Sequence, residues 1–368
     1  MKIPFVDLKA QTAALRPELE RELAAVLGDC EFILGSRVRA FEAGFAAYCG
    51  RRFAVAVNSG TAALHLALLA HAIGPGDEVI SVSHTFAATA AAILYTGATP
   101  VLVDVDPATL NLDPERLEQA LTGRTRAILP VHLYGRPAAM APIMDFARRH
   151  GLAVIEDACQ AHGAELGGVR VPVSGTGCFS FYPSKNLGAC GEGGCLVTDS
   201  EEVAARAAAL RDHGQTEKYR HQYLGFNYRM PAFQGAVLKV KLPHLEAWTL
   251  ARREHARRYL EGLAGLDLLR PEDPAGARHV FHLFVVRHPE RDRLQADLSG
   301  QGIATGLHYP IPVHLQPAFA GRVRPAGPLA VTEAAARQVL SLPMYPELTV
   351  EQVDFVCAAM RAALSGHG

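Results

Sequence analysis

The stretch Gly175–Gly194, GTGCFSFYPSKNLGACGEGG, decides the fold and the chemistry that we expect of this chain. Its apolar run Cys178–Tyr182 predicts a short buried strand, and Lys185 follows where that strand leaves the core. An amine held there is partly dehydrated, which disfavours its charged form. Because a neutral amine can attack a carbonyl to form a Schiff base, Lys185 is the candidate catalytic residue. The alternative is a solvated loop lysine, the usual environment of this residue type.

Composition weakens that alternative and limits the class of ligand. The chain has 368 residues and a formal net charge of -1. Only six residues are lysine: Lys2, Lys9, Lys185, Lys218, Lys239 and Lys241. Arginine otherwise carries the positive charge, and arginine cannot lose its proton. Since no basic block marks a nucleic-acid or membrane surface, we expect a small-molecule ligand.

Segments for export, membrane insertion or disulfide bonding are not expected. The N-terminal sequence MKIPFVDLKAQ lacks the apolar run of a signal peptide, and no later run approaches a membrane span, which predicts a cytoplasmic protein. The seven cysteines contain no C-x-x-C pair and are interpreted as reduced core residues. No metal is expected, because H-E-x-x-H is missing and no histidine pair stands near Asp157 at ligand spacing.

From about Phe53, short apolar runs alternate with helical stretches, which predicts an α/β fold with a mostly parallel seven-stranded sheet covered by helices on both faces. The predicted strands are Ala54–Asn58, Glu78–Ser83, Thr99–Asp104, Ala127–Leu133, Leu152–Asp157, Cys178–Tyr182 and Gly194–Thr198. The predicted helices of this part are Thr61–Ala72, Ala87–Tyr95, Pro114–Leu121, Met140–His150 and Glu201–Arg211. Ligands of such sheets bind beyond the carboxyl ends of the strands.

Two domains are expected, a large one over residues 1–243 and a small C-terminal α+β domain over 244–368. The change in composition begins after Pro243, where His244–Leu263 predicts a long amphipathic helix, and the stretch 271–276 predicts a turn-rich break. The small domain is predicted to contain strands at Val280–Arg287 and Ile303–His308 and helices at Arg291–Leu298 and Val350–Leu364. A further helix is predicted near Arg16–Leu27, in an N-terminal arm that packs back on the body of the protein.

Polar residues follow several of the predicted strands, at the edge where a ligand would bind. After the first strand, Ser59, Gly60 and Thr61 begin a helix, and free backbone N–H groups there can bind a phosphate. An ordinary helix cap is the alternative. Asp157 ends a buried strand and could pair with a protonated ring nitrogen of a cofactor, with a helix cap or a metal ligand as the alternatives.

Two further candidates complete the set. Phe86 could stack on a flat ring, although a core phenylalanine is the simpler interpretation. Ser180 could add a hydroxyl to the same phosphate, or be a satisfied core serine. A phosphate site, a stacking ring, a carboxylate and an amine are together what pyridoxal 5'-phosphate (PLP) requires. Each feature alone is unspecific, and the combination indicates PLP.

The chain resembles the DegT/DnrJ/StrS family of PLP-dependent sugar aminotransferases, which have the aspartate aminotransferase fold (PLP fold type I). The resemblance covers nearly the whole chain. It rests on Ile3–Leu8, Asn58–Ala63, Thr85–Phe86, Glu156–Ala158 with Gln160, Phe179–Phe181 through Lys185–Gly188, Gly225–Met230, and His308–Pro310 with His314 and Gln316.

The resemblance implies a role for each site residue. Lys185 would hold the cofactor as a Schiff base and then move the proton, and Asp157 would bind the pyridine nitrogen. Phe86 and Gln160 would flank the ring. Phosphate contacts would come from Ser59, Gly60, Thr61 and Ser180, with Asn227 added from the neighbouring subunit of a homodimer. Substrate contacts are expected from Tyr182, Arg229, His308 and Tyr309, although Arg229 alone suggests an ion pair and His308 an ordinary strand-end histidine.

The implied reaction converts a keto group on a nucleotide-linked hexose to an amine, with L-glutamate as donor. Because Lys185 is retained, amination is favoured over the deoxygenation of relatives that have histidine there. The segments Arg211–Gln215, Lys218–Tyr219 and His221 resemble relatives that act at carbon 3 more than those that act at carbon 4. A PLP-dependent lyase or desulfurase, and a non-catalytic regulator that binds PLP or a sugar nucleotide, are the alternatives.

Overall fold

A computed structural model of the protein describes residues 1–272 and 276–365. Its main sheet is built of two ladders joined through Ala153–Val154 and Glu156–Asp157, which are successive pieces of one extended segment. The strand order across the described sheet is Phe53–Val57, Gly194–Thr198, Thr176–Ser180, the two-piece segment, Thr125–Ile128, Glu78–Val82, Thr99–Val103 and the short edge strand Arg324–Pro325.

Gly194–Thr198 runs antiparallel to both of its neighbours, and the other pairs are parallel. In register, Gly194 lies between Val57 and Ser180. A Cβ on Gly194 would lie 2.2 Å from the carbonyl oxygen of Ser59, so only glycine permits this close approach. The expected α/β class with a mostly parallel, helix-covered sheet is therefore confirmed.

Helices cover both faces of this sheet. The helices of the described residues, including those of the C-terminal part, are in chain order Leu8–Asp29, Gly35–Cys49, Gly60–Ala70, Ala87–Tyr95, Leu117–Ala120, Met140–His150, Glu201–Arg211, Ala232–Lys241, Leu245–Gly262, Arg291–Gly300, Ala330–Gln338 and Val350–Ser365. The helix Gly60–Ala70 is apolar on almost every side and is buried against the strands, whereas Met140–His150 places its arginines in the last turn, where they favourably oppose the helix dipole.

Short strand pairs lie outside the main sheet. They are Glu165–Leu166 with Val169–Arg170 and Ala277–Arg278, Gln215–Glu217 with Arg220–His221, and Phe284–Arg287 with Val339–Leu342. Short 3-10 turns occur at Pro114–Arg116, Leu133–Gly135, Leu242–His244, Val313–Leu315 and Pro317–Phe319.

Two strand predictions for the C-terminal part need correction. Ile303–His308 is not a strand, because Ile303 is paired with Ile3 in one isolated bridge while Gly306 is paired with Ser341 in another, and a segment that changes partner forms no continuous ladder. The strand predicted to begin at Val280 begins at Phe284, since Phe281 has a φ of 43°, which is outside the extended region. The predicted break at 271–276 lies partly outside the described residues.

The C-terminal part has its own apolar core, formed by residues such as Tyr259, Phe284 and Val353, and Ile3 of the N-terminal arm joins it. The helix Leu245–Gly262 takes part in two cores, because Leu245 packs in a cluster of the main sheet. The division at 243/244 therefore stays a prediction. No helix in the described residues combines the length and apolar character needed to cross a bilayer.

All seven cysteines are free thiols. Five of them are buried or half-buried, as expected, but Cys30 and Cys190 are exposed, so the core interpretation is wrong for these two. Cys30 is the residue at which the helix Leu8–Asp29 ends, and Cys190 lies in the glycine-rich segment after Lys185.

Candidate active site

A cavity of about 520 Å³ opens at the carboxyl ends of the parallel strands. That volume lies in the range of small-molecule and cofactor sites. Most of the predicted site residues line it: Ser59, Gly60, Thr61, Phe86, Asp157, Gln160, Ser180, Tyr182, Lys185, His308 and Tyr309. Asn227 and Arg229 are not among the lining residues of this single chain.

The helix Gly60–Ala70 presents its amino end to the cavity. Ser59 caps this helix, because its hydroxyl oxygen accepts a hydrogen bond from the Ala62 amide at 3.1 Å. The structure records no hydrogen bond from the amides of Gly60 and Thr61 to the described residues. The cap predicted as the alternative is therefore present, and it leaves two amides available to an anion, so the phosphate site stays a prediction.

Gly60 brings this helix end against the strand that leads to Lys185. A Cβ on Gly60 would lie 2.7 Å from Cβ of Ser180 and 3.0 Å from Sγ of Cys159. The absence of a side chain at position 60 thus lets the Ser180 hydroxyl and the free amides converge on one volume. Convergent donors of this kind suit a phosphate group.

Asp157 lies on the cavity wall and is 5% exposed. Its Oδ2 accepts a hydrogen bond from the Thr89 hydroxyl at 2.8 Å, and its Oδ1 accepts one from the Cys159 amide at 3.1 Å. Because Thr89 donates to Asp157, the Thr85 hydroxyl, 2.8 Å away, donates to Thr89. These bonds fix the orientation of a buried carboxylate.

Thr89 was missed by the sequence reasoning. The signal for it is its spacing: Thr85 and Thr89 are four residues apart at the start of the helix Ala87–Tyr95, so their side chains lie on one side. No local pattern of residues indicates that this side meets Asp157.

Lys185 lines the same cavity and is partly shielded from solvent. Burial lowers the pKa of Lys185, while Cys159 and Asp157 act in the opposite direction. The direction agrees with the dehydration expected at a strand exit, and it increases the fraction of neutral amine available at a given pH. The environment of Lys185 therefore suits a nucleophilic amine better than a solvated charge.

The aromatic side chains of the cavity are Phe86 and Tyr309. Phe86 is 57% exposed, and its ring centre lies 5.7 Å from that of Tyr309. An exposed ring at a cavity mouth is available to stack on a flat ligand, so Phe86 is not the core phenylalanine of the simpler interpretation. Gln160 donates to the Tyr309 hydroxyl at 3.0 Å and accepts from the Tyr134 amide at 2.7 Å.

His308 is held on several sides. Its ring stacks on Phe5 at 5.6 Å, and its Nδ1 is 2.8 Å from the Ser341 hydroxyl. Burial, with the nearby charge of Lys185, lowers the pKa of His308 to about 4. The imidazole is therefore neutral near pH 7, and Nε2 is left for a ligand.

Asn227 and Arg229 lie together outside the cavity. Arg229 donates to Oδ1 of Asn227 through Nε at 3.1 Å and Nη2 at 2.9 Å. Its Nη1 is 3.1 Å from Oδ1 of Asp212, which is the ion pair considered as the alternative for Arg229. Asn227 is exposed at the surface of this single chain.

The cavity fits PLP. Free amides and hydroxyls at the helix start suit a phosphate, an oriented carboxylate suits a protonated pyridine nitrogen, an exposed ring suits stacking, and a buried amine suits an aldehyde. Because these four groups line one cavity, the cavity suits a small anionic aldehyde better than it suits a metal ion or a nucleic acid. The fold and this constellation define the class of fold type I aminotransferases.

Comparison with known proteins agrees with that class. The DegT/DnrJ/EryC1/StrS aminotransferase family matches residues 14–361, and the chain belongs to this family. The structure superposes with a TM-score of 0.96 on "S. venezuelae DesV in complex with ketimine intermediate", with 48% identity and 98% of both chains covered.

Two curated relatives are equally similar in sequence. The "UDP-N-acetyl-3-dehydro-alpha-D-glucosamine 3-aminotranferase" of Acidithiobacillus ferrooxidans is 48% identical over 99% of this chain and 98% of its own. A "Pleiotropic regulatory protein" of Geobacillus stearothermophilus is also 48% identical, over 97% of both chains. The expected family resemblance and the expected aminotransferase activity are confirmed.

Proposed function

We propose that this protein transfers the amino group of L-glutamate to the 3-oxo group of a nucleotide-linked hexose, with PLP as cofactor. The observation that carries the proposal is the shared cavity, where the Lys185 amine, the Asp157 carboxylate and the helix start at Gly60 meet. When bound, PLP supplies an aldehyde and an electron-withdrawing ring. Lys185 and Asp157 would hold its two reactive ends, with Ser59, Gly60, Thr61 and Ser180 at the phosphate.

Each residue has a defined task in that reaction. Nζ of Lys185 would hold the aldehyde of PLP, and the same amine would move the proton at the substrate carbon. Holding Nζ beside that carbon replaces a bimolecular proton transfer by an intramolecular one. Thr89 and the Cys159 amide hold the Asp157 carboxylate in a fixed orientation. Tyr182, His308 and Tyr309 line the part of the cavity left for the sugar.

The nucleotide sugar and carbon 3 are supported by the relatives. The Acidithiobacillus protein is named for a UDP-linked 3-dehydro sugar. The resemblance of the segments Arg211–Gln215 and Lys218–Tyr219 to carbon-3 enzymes points the same way. In the structure this region contains the hairpin of Gln215–Glu217 and Arg220–His221, next to the exposed Asn227.

A homodimer with shared sites is part of the proposal. Asn227 is exposed and does not line its own chain's cavity, which supports a contact with the phosphate of another subunit. Tyr219 and Leu224, on the same segment, are 81% and 96% exposed, and large apolar side chains in such positions favour a protein partner. Free exposed thiols at Cys30 and Cys190 favour a reducing compartment such as the cytoplasm.

The direct test is product formation. PLP-loaded enzyme is mixed with L-glutamate and UDP-N-acetyl-3-dehydro-α-D-glucosamine, or with a 4-oxo sugar nucleotide, and the products are identified by mass. We expect an amino sugar nucleotide and 2-oxoglutarate with the 3-oxo substrate. Amination of the 4-oxo substrate alone would overturn the carbon-3 assignment. Pyruvate or sulfide from cysteine or cystathionine, without amino sugar, would establish the lyase or desulfurase alternative.

A regulatory function is the second candidate, because one relative of equal similarity is named as a regulatory protein. Such a protein would bind PLP or a sugar nucleotide without turnover. Loss of the PLP absorption band on adding L-glutamate, with 2-oxoglutarate formed, would exclude binding alone. A band that stays unchanged under saturating donor would favour the regulator.

A further inference from the structure

Tyr134 connects two parts of the cavity that are far apart in sequence, Gln160 and the segment His308–Tyr309. It is 6% exposed and lies in the turn Leu133–Gly135 with φ 59° and ψ 7°, a left-handed conformation that a bulky residue rarely adopts. Backbone conformations of this kind persist where the surrounding structure holds them, and they cluster at functional sites. The contacts of Tyr134 explain what holds it.

The backbone of Tyr134 controls one end of the segment His308–Tyr309. The amide of Tyr134 donates to Oε1 of Gln160 at 2.7 Å, which fixes the orientation of that side-chain amide. Nε2 of Gln160 then donates to the Tyr309 hydroxyl at 3.0 Å. The backbone of Tyr134 thereby positions the Tyr309 hydroxyl through the side chain of Gln160.

The side chain of Tyr134 controls the other end of the same segment. Its hydroxyl donates to the carbonyl oxygen of His308, which can only accept. Nε2 of His84 lies 3.0 Å from the Tyr134 oxygen. Because the Tyr134 proton is used for His308, His84 must donate from Nε2. Nδ1, the acceptor nitrogen of this tautomer, is buried and has no hydrogen-bond partner among the described residues.

The directions of these bonds are fixed by chemistry. Burial lowers the pKa of His84 to about 4, so the ring is neutral near pH 7 and carries a single N–H. Burial raises the pKa of Tyr134 well above its usual value, which keeps the hydroxyl protonated as the donor. A chain of hydrogen bonds therefore runs from His84 through Tyr134 to the backbone of His308.

We infer that Tyr134 and His84 are positioning residues, which hold the segment His308–Tyr309 in the orientation that receives the sugar. This inference rests on the proposed function, since it assigns the segment to the keto sugar and not to the amino donor. A purely structural role would slow both halves of the reaction alike. The positioning role predicts an effect confined to the sugar.

The test compares two amino donors on the same PLP-loaded enzyme. One donor is L-glutamate, and the other is the UDP-linked 3-amino sugar, which reacts in the reverse of the sugar half-reaction. Each donor alone removes the PLP absorption band, so each half-reaction is measured separately. In Tyr134→Phe, loss of one hydrogen bond should raise KM for the amino sugar about tenfold. The kcat/KM for L-glutamate should stay within about twofold of wild type. An equal change with both donors, or with neither, would overturn the inference.

His84 supplies matched variants. His84→Leu removes the N–H donor, and we expect the Tyr134→Phe behaviour. His84→Gln keeps an N–H donor near the same position and should restore most of the affinity for the amino sugar. If the Gln variant is as impaired as the Leu variant, the donated hydrogen bond is not what matters.

A readout that needs no substrate separates this inference from the proposed function. In Tyr134→Phe holoenzyme, amide hydrogen exchange near His308 and Tyr309 should increase at least severalfold, because the carbonyl of His308 loses its donor. Unchanged exchange would overturn the inference even if kinetics change. If wild-type enzyme reacts with L-glutamate but not with any amino sugar nucleotide, the proposed substrate is wrong, and the exchange result still decides whether Tyr134 holds the segment.

Discussion

Replacing Gly60 by alanine tests how the helix start and the strand exit are joined. The new Cβ would lie 2.7 Å from Cβ of Ser180. Carbon atoms in contact prefer about 3.5–4.0 Å, so the helix start must retreat by roughly 1 Å. Overpacking of this kind costs about 1–3 kcal/mol of unfolding free energy. The retreat also separates the free amides at positions 60 and 61 from the Ser180 hydroxyl, which weakens phosphate binding.

The assay measures urea unfolding of Gly60→Ala with and without PLP, together with the dissociation constant of PLP. Without cofactor, the free energy of unfolding should fall by about 1–3 kcal/mol. If PLP binds about tenfold more weakly, the stabilisation that saturating PLP adds to the free energy of unfolding falls by about 1.4 kcal/mol. Both losses should add in the holoenzyme.

A matched control is available in the N-terminal helix. A Cβ on Gly28 would meet nothing within 4 Å, and Gly28 lies in the helix Leu8–Asp29. Gly28→Ala should stabilise the protein by about 0.5–1 kcal/mol and leave PLP affinity unchanged. If Gly60→Ala binds PLP as tightly as wild type, the helix start does not hold the phosphate, and the reasoning fails.

Three other changes probe Asp157, Lys185 and the subunit interface. Thr89→Val removes the hydroxyl that donates to Asp157 at 2.8 Å. A hydrogen bond to a charged group is worth about 1.5–3 kcal/mol, so kcat should fall about tenfold or more. Unchanged turnover would show that this hydrogen bond is dispensable. Because burial lowers the pKa of Lys185, its neutral amine dominates from a lower pH than the amine of a free lysine does. The rate at which cofactor-free protein forms a Schiff base with PLP should therefore level off at a lower pH than the rate for Nα-acetyl-lysine. Equal pH profiles would contradict the assigned environment of Lys185. Mixing inactive Asn227→Ala and Lys185→Ala chains should restore partial activity in hybrid dimers if Asn227 acts across subunits, and a complete lack of rescue would argue for sites within single chains.

Most of the fold was predictable because strand and helix patterns alternate regularly after Phe53. The helices Ala87–Tyr95, Met140–His150 and Glu201–Arg211 occur with the predicted bounds, since apolar periodicity and flanking turns agree there. The C-terminal part was less predictable. Ile303–His308 has the composition of a strand, but its two backbone partners come from opposite ends of the chain, which a local pattern does not reveal.

The site was predictable where the chemistry lies at strand ends. Lys185, Asp157 and Ser180 follow apolar strands, and parallel strands bring such ends to one edge. Thr89, Tyr134 and His84 were not predictable in their roles, because each acts through a contact distant in sequence. The left-handed backbone of Tyr134 in particular has no local sequence signal, since glycine or asparagine is the residue expected there.

The most direct measurement is to reduce PLP-loaded enzyme with borohydride, digest it, and locate the added cofactor mass among the peptides. The chain has six lysines, and Lys241 is a buried control whose ammonium is already bonded to Gln11 and to the carbonyl of Gly188. We predict that the cofactor is found on Lys185, and that prior reaction with L-glutamate abolishes the label. Cofactor found on another lysine, with Lys185 unmodified, would contradict the account.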